Sequence, residues 1–286
     1  MPWRLKDLIL MLRPLQWLKN LMVYFPPFLG GTIFSQDMLR AWSLVPFAAF
    51  CMASSSGYII NDLMDCGSDA HHPVKSKRVI PSGRVSRPVA GAVAALLCML
   101  SLATASCVSL KFLLLLGLYL VVTLSYSLWL KHMALLDLFC ISAGFVIRLF
   151  AGGSAFSVPV SEWLFLCVFL LSLFLSAGKR MAEKQKLGYG AARHRKVLDG
   201  YPDGFLEGAM LVCASSVLVT YAMYVISRHS QLLLFSVPLC CFGLFRYMLR
   251  VQRGMGGDPT ESLVRDVPLL VTGTAWAVMV GWGVYG

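Results

Sequence analysis

Asn61-Asp62-Leu63-Met64-Asp65-Cys66-Gly67-Ser68-Asp69 closes an apolar run that begins near residue 41. Its three carboxylates fall at i, i+3 and i+7, a spacing that puts them on one face of a helix. Carboxylates packed so closely repel one another unless a cation lies between them. Hard oxygen donors suit Mg²⁺, which commonly brings substrate phosphates with it. Asp62, Asp65 and Asp69 are therefore candidate metal ligands, and Asn61 adds a neutral oxygen or an amide donor. Directly behind stands His72-Pro73-Val74-Lys75-Ser76-Lys77-Arg78, where basic residues crowd together. Acid for a metal, then base for phosphate, is the chemistry of a diphosphate site, with Lys75 and Arg78 as anion-binding candidates. Pro81-Ser82-Gly83 marks a tight return into the next apolar run. A solvated loop with idle charges is the competing reading, and it suits a polar chain better than this one.

The rest of the chain is apolar. Of 286 residues, 58% are hydrophobic and 14% charged, against about 25% charged in an ordinary soluble domain. The mean hydropathy is +0.71. This is the composition of a polytopic membrane protein. Nine runs are long enough for a spanning helix of about 20 residues: 15–34, 41–60, 88–109, 112–130, 134–152, 162–181, 205–226, 231–249 and 267–285. The expected architecture is an all-α bundle in one membrane domain, 1–286, with active-site loops at 61–87 and 126–137 and a further loop at 179–204. Residues 1–13 alternate apolar and basic side chains and suit a short amphipathic helix in the membrane interface. No signal-peptide cleavage pattern is evident, so the first span is expected to be retained. Cations gather at the N-terminus (Arg4, Lys6, Arg13) and in alternate loops, whereas the opposite loops hold only Arg40, Lys111 and Arg228. The positive-inside rule then puts the N-terminus and charged loops in the cytoplasm and the C-terminus outside. No basic run is interleaved with aromatics on a polar face, which excludes nucleic acid as a partner. The nine cysteines show no metal or redox spacing and read as small buried apolar residues.

Two further constellations carry charge where apolar runs end. Tyr126-Ser127-Leu128-Trp129-Leu130-Lys131 is followed by Asp137 and Arg148. Ionisable groups at or inside the membrane boundary are costly and imply a polar cavity with partners. Asp137 is a candidate metal or water ligand, and Lys131 and Arg148 are candidates to hold phosphate. A salt bridge is the plainer reading of Arg148, and snorkelling that of Lys131. Residues 61–84 and 126–148 thus repeat a theme, a weak internal duplication. Gly178-Lys179-Arg180-Met181-Ala182-Glu183 ends another apolar run with two cations and an acid one turn on. Tyr201 is expected to play no part toward a substrate, and the 258–266 stretch reads as a helix cap.

Asn-Asp-x-x-Asp-x-x-x-Asp at 61–69, after an apolar helix and before Arg78 and Gly83, resembles the UbiA superfamily of intramembrane prenyltransferases, and nine helices fit its fold. The aromatic prenyltransferases of quinone pathways carry a second Asp-x-x-x-Asp motif near 126–137. This chain departs from that pattern, with Tyr126, Leu130 and Lys131 there and Asp137 alone. Arg13-Pro14-x-Gln16-Trp17-x-Lys19-Asn20, Gly144-Phe145-x-x-Arg148-x-x-Ala151-Gly152-Gly153 and Gly178-Lys179-Arg180-x-x-Glu183 resemble instead the phosphoribosyl-transferring branch of the superfamily. That resemblance covers about residues 13–266. It implies a Mg²⁺-dependent transfer of 5-phosphoribose from 5-phosphoribosyl 1-pyrophosphate (PRPP) to a polyprenyl phosphate in a bacterial plasma membrane, for lipid-linked arabinose donors of envelope glycans. In that reading Asp62, Asp65, Tyr126 and Lys131 carry the chemistry. Lys19, Asn61, Lys75, Arg78, Lys131, Asp137, Arg148, Lys179, Arg180 and Glu183 bind the substrates. Aromatic prenyl transfer is the alternative within the superfamily. A transporter, which would break its helices near the midplane, is the alternative outside it. Homo-oligomer formation stays open.

Overall fold

The structure is a computed structural model that describes residues 5–35, 41–70, 75–187, 196–255 and 258–286. It is all-helical, with no strand among the described residues. A short α1 (Leu5–Leu12) leads into a 3₁₀ segment (Pro14–Tyr24) and α2 (Phe25–Leu29). The long helices are α3 (Val45–Met64), α5 (Arg87–Ser106), α6 (Leu110–Leu128), α7 (Leu136–Ala155), α8 (Glu162–Leu187), α9 (Phe205–Ser227), α11 (Ser236–Gln252) and α13 (Val267–Tyr285). Short helices α4 (Cys66–Asp69), α10 (Gln231–Leu234) and α12 (Pro259–Arg265) lie between them. The starts are written in the sequence. Pro46, Pro88 and Pro268 stand in the first turns of α3, α5 and α13, where proline's missing N–H costs nothing. Ser109 caps α6 by accepting from the Phe112 N–H at 3.1 Å, and Asp266 caps α13 by accepting from Leu269 at 3.0 Å.

Among the described residues, eight helical stretches are long and apolar enough to cross a membrane. The first expected span, 15–34, is not a continuous α-helix. Eleven residues of 3₁₀ helix precede five of α-helix. At about 2.0 and 1.5 Å per residue they reach about 30 Å, the thickness of the hydrocarbon core. The helices are inside-out relative to a soluble bundle. Large apolar side chains such as Met99, Leu114, Val212 and Trp282 are more than 60% exposed, while Asp137 and Arg180 are sealed inside. Exposed apolar surface on this scale is the face a protein turns to lipid. The chain is an integral membrane protein.

Among the described residues, four apolar clusters hold the bundle. One joins α8, α9 and α11 through Phe174, Met210, Val217 and Tyr247. A second joins the 3₁₀ segment, α3, α6 and α7 through Val23, Phe50, Leu116 and Ile147. A third ties α2, α9 and α13 through Leu29, Tyr224 and Val280, and a fourth ties α1, α3 and α5 through Met11, Ile59 and Ala94. Gly152 permits the tightest approach. A Cβ there would fall 2.0 Å from the Val23 carbonyl oxygen, so the 3₁₀ segment lies directly on α7.

Candidate active site

The acidic stretch does not sit on one unbroken helix. α3 ends at Met64, Asp65 caps it with φ −88° and ψ 0°, and α4 begins at Cys66. The i→i−4 bonds survive the change, from Asp65 N to Asn61 O at 2.9 Å and from Asp69 N to Asp65 O at 2.8 Å. The carboxylates therefore keep nearly the expected common face. Each is met by a cation. Arg13 donates from Nη2 to both oxygens of Asp62, at 2.5 and 2.7 Å. Arg78 donates from Nη1 to Asp62 at 3.0 Å and to Asp69 at 2.7 Å. Lys131 bonds Asp65, and reaches the Asn61 Oδ1 at 3.3 Å. Asn61 in turn donates to Asp65 at 3.1 Å. The return at 81–83 forms as expected: Gly83 has φ +74° and its N–H bonds the Ile80 carbonyl at 3.0 Å.

Among the described residues, no three His, Cys, Asp or Glu side chains are gathered closely enough to hold a metal ion. The donor set nonetheless fits magnesium. The oxygens are hard, and Asp62 and Asp69 already converge on one positively charged atom, Arg78 Nη1. Mg²⁺ is commonly held by one or two carboxylates with substrate phosphates and water completing the shell.

A second cluster lies where α6, α7 and α8 meet. Arg180, 1% exposed, donates to Asp137 at 2.5 Å, to Glu183 at 2.8 Å and to the Tyr126 hydroxyl at 3.2 Å. The other Asp137 oxygen accepts from the Tyr201 hydroxyl. That hydroxyl also accepts from the Leu135 N–H at 3.0 Å. Burial and the bond to Asp137 push the Tyr201 phenol well above its ordinary range. The Tyr201 ring is buried, and its hydroxyl serves the protein's own Asp137 and Leu135. Leu135 has φ +68° and Arg13 φ +54°. Both are strained conformations for residues with side chains, and such strain gathers at functional sites.

Arg148 is buried in α7 and, among the described residues, bonds no acid. It donates to Asn20 Oδ1 at 2.8 Å, the Gly144 carbonyl at 2.9 Å and the Tyr119 hydroxyl at 2.8 Å. Its guanidinium lies over the rings of Tyr119, Phe145 and Phe50. The salt-bridge reading of Arg148 is therefore corrected: neutral oxygens and aromatic faces hold it. Lys19 and Lys179 share one oxygen of Asp258, at 3.2 and 3.4 Å. The other oxygen of Asp258 accepts from Thr260 N at 3.0 Å, the helix cap expected there. Burial opposes ionisation of Asp258, yet Lys179 and Lys19 hold its carboxyl well below the usual range. Lys75 stands in a short 3₁₀ turn (Lys75–Lys77); its side chain, His72 and Pro73 lie outside the described residues.

The structure thus joins Asn61, Asp62, Asp65, Asp69, Arg78 and Lys131 in one cluster, and Tyr126, Asp137, Arg180 and Glu183 in another. Arg13 completes the first and Tyr201 the second, Asn20 and Tyr119 hold Arg148, and Asp258 holds Lys19 and Lys179; these five were not among the expected site residues. The signal for Arg13 was its place before Pro14 at the head of an apolar segment. For the others, no local pattern marks the contact.

A family model described as the UbiA prenyltransferase family matches residues 24–265. A decaprenyl-phosphate phosphoribosyltransferase of Mycolicibacterium smegmatis is 33% identical, covering 97% of this chain and 92% of that protein. One of the same name from Mycobacterium tuberculosis is 34% identical, covering 94% and 91%. Among solved structures, a UbiA homolog from Archaeoglobus fulgidus bound to GPP and Mg²⁺ superposes with a TM-score of 0.72 at 19% identity, over 97% of this chain and 99% of that one. This last likeness is one of fold.

Proposed function

The chain belongs to the UbiA prenyltransferase family, is a transferase, and, we propose, moves 5-phosphoribose from PRPP to a polyprenyl phosphate with release of pyrophosphate. The observation that carries the reading is the state of the 126–137 segment. Where aromatic prenyltransferases place a second pair of acids, this chain has Tyr126 and Lys131, and its single Asp137 is wholly buried against Arg180 and Tyr201. A site that receives two phosphorylated substrates needs more positive charge than one that receives a prenyl diphosphate and a neutral ring. The relatives named decaprenyl-phosphate phosphoribosyltransferase support the same choice.

In this reading the bond from ribose C1 to the pyrophosphate oxygen breaks and its electron pair leaves with pyrophosphate. A lipid phosphate oxygen forms the new bond to C1. The nucleophile is already an anion, so no general base is required, and catalysis rests on positioning and charge. Asp62, Asp65 and Asp69 would hold Mg²⁺, which supplies charge neutralisation to a leaving diphosphate. Arg13, Arg78 and Lys131 now restrain those carboxylates and can turn to diphosphate oxygens. Asp137, with Tyr201, holds Arg180 in one orientation, and Arg180 presents Tyr126. The substrates enter from the cytoplasmic side of a bacterial plasma membrane, and the product supplies lipid-linked arabinose donors.

The test is transfer of label in detergent. Protein, radiolabelled PRPP, a polyprenyl phosphate and Mg²⁺ should move label into the organic phase, and chelator should stop it. No transfer from PRPP, with consumption of a prenyl diphosphate and an aromatic acid instead, would replace the reading with aromatic prenyl transfer.

A further inference from the structure

The cations of the site are not evenly matched by acids. Around Asp62, Asp65 and Asp69, ion pairs set three carboxylates against Arg13, Arg78 and Lys131. Around Asp258 the balance differs. Two ammonium groups, from the 3₁₀ segment and from α8, share a single carboxylate oxygen. Arg148, whose charge bears on Lys19, has only neutral hydrogen-bond partners among the described residues. Glu183, the acid near Lys179, is engaged by Arg180 at 2.8 Å. The region therefore carries surplus positive charge, and a divalent cation would be repelled from it. The lysines are not closed off: their side chains are 20% and 31% exposed.

We propose that Lys19 and Lys179 form a metal-independent seat for a phosphate monoester, and that Asp258 is the positioning residue that keeps their two ammonium groups side by side. A monoester fits the arrangement. It carries between one and two negative charges near neutral pH and three terminal oxygens, so it can bond both ammonium groups at once. Without Asp258 the ammonium groups repel, and two flexible side chains separate. The seat rests on the reading of the chain as a phosphoribosyltransferase, whose substrates offer two such groups: the acceptor lipid phosphate and the 5-phosphate of the donor.

The experiment is binding without metal. Full-length protein in detergent with EDTA is titrated by calorimetry with farnesyl phosphate and, separately, with ribose 5-phosphate, with farnesol as the phosphate-free control. We expect one of the two phosphates to bind and farnesol not to; which one binds names the substrate that uses the seat. Lys19→Gln and Lys179→Gln should each weaken that binding at least tenfold. Asp258→Asn keeps the helix cap, since Asn serves there as well as Asp, so it removes the charge alone. It should raise KM for the substrate bearing that phosphate about tenfold and leave kcat and the other KM within twofold. If neither phosphate binds in EDTA, or both lysine variants bind as the parent does, the seat is overturned. An unchanged KM in Asp258→Asn overturns the positioning role. Label transfer from PRPP with Mg²⁺ by the parent protein stands apart from these outcomes and reports on the underlying reading alone.

Discussion

Single side chains differ here in how much structure hangs on them. Asp62 is 7% exposed and braced by two arginines, whereas the Asp65 side chain is 26% exposed. Removing the Asp65 charge is thus the cleaner probe of the metal-binding proposal. Asp65→Asn should lose at least about a hundredfold in kcat, the scale of several kcal/mol that a metal contributes to a developing charge, while its melting temperature in detergent stays within a few degrees. Near-parental kcat would remove Asp65 from the metal set. Tyr201 is the converse case, since its hydroxyl serves both Asp137 and the strained Leu135 N–H. Tyr201→Phe leaves both groups short of a partner at a cost of about 1–3 kcal/mol. It should lower stability and kcat together, with both seen in one preparation by melting and turnover. The acid cluster was legible because its spacing is local. Tyr201, Asn20 and Tyr119 were not, because their partners lie 64, 128 and 29 residues away, and a tyrosine or asparagine in an apolar segment looks the same whether or not it holds a charge.

At the scale of elements, the site depends on how the 3₁₀ segment lies on α7, since that segment carries Lys19 and Asn20 and follows Arg13. Gly152 permits the approach. Its sequence signal, Gly152-Gly153, was visible, but glycine pairs also mark turns, and only the helical context shows that this one is a contact surface. Gly152→Ala would drive a Cβ into the Val23 backbone. We expect a loss of about 1–3 kcal/mol, typical of overpacking, and a fall in kcat larger than that of a comparable surface variant, measured by melting and turnover. The junction of α12 and α13 makes a prediction in pH. Asp266 bonds Arg246 at 3.1 and 2.9 Å and Arg250 at 2.5 Å. Chiefly through Arg246, its carboxyl is pulled down to about 2. A depressed acid contributes stability above its unfolded pKa of about 3.9 and loses it as pH falls through the folded value. The parent should therefore exceed Asp266→Asn by about 1 kcal/mol at pH 6, and the difference should close between about pH 4 and 2 in detergent melting. A constant difference across that range would show that the carboxylate charge is not what Asp266 contributes to stability.

For the whole molecule, composition alone indicated a membrane bundle, and the structure agrees: apolar side chains face out and ions are buried. The first segment is the exception. Counting apolar residues cannot tell a continuous α-helix from a 3₁₀ segment followed by Pro26-Pro27 in α2. Sidedness rests on a different argument, the asymmetry of Lys and Arg between alternate loops, and it can be checked with residues the chain already has. Of its nine cysteines only Cys107 is exposed. It follows the last residue of α5, at the far end of that helix from Arg84 and Arg87. Twenty residues of α5 separate the two ends by about 30 Å, one hydrocarbon thickness. The cationic end is expected in the cytoplasm, so Cys107 should face outward. A membrane-impermeant maleimide applied to spheroplasts should label the protein, and Cys107→Ser should abolish that label. In the Cys107→Ser background, Ser82→Cys should react only in inverted vesicles. Reversal of the two patterns would turn the protein over and put the acidic site on the outer face, away from the compartment in which PRPP is made.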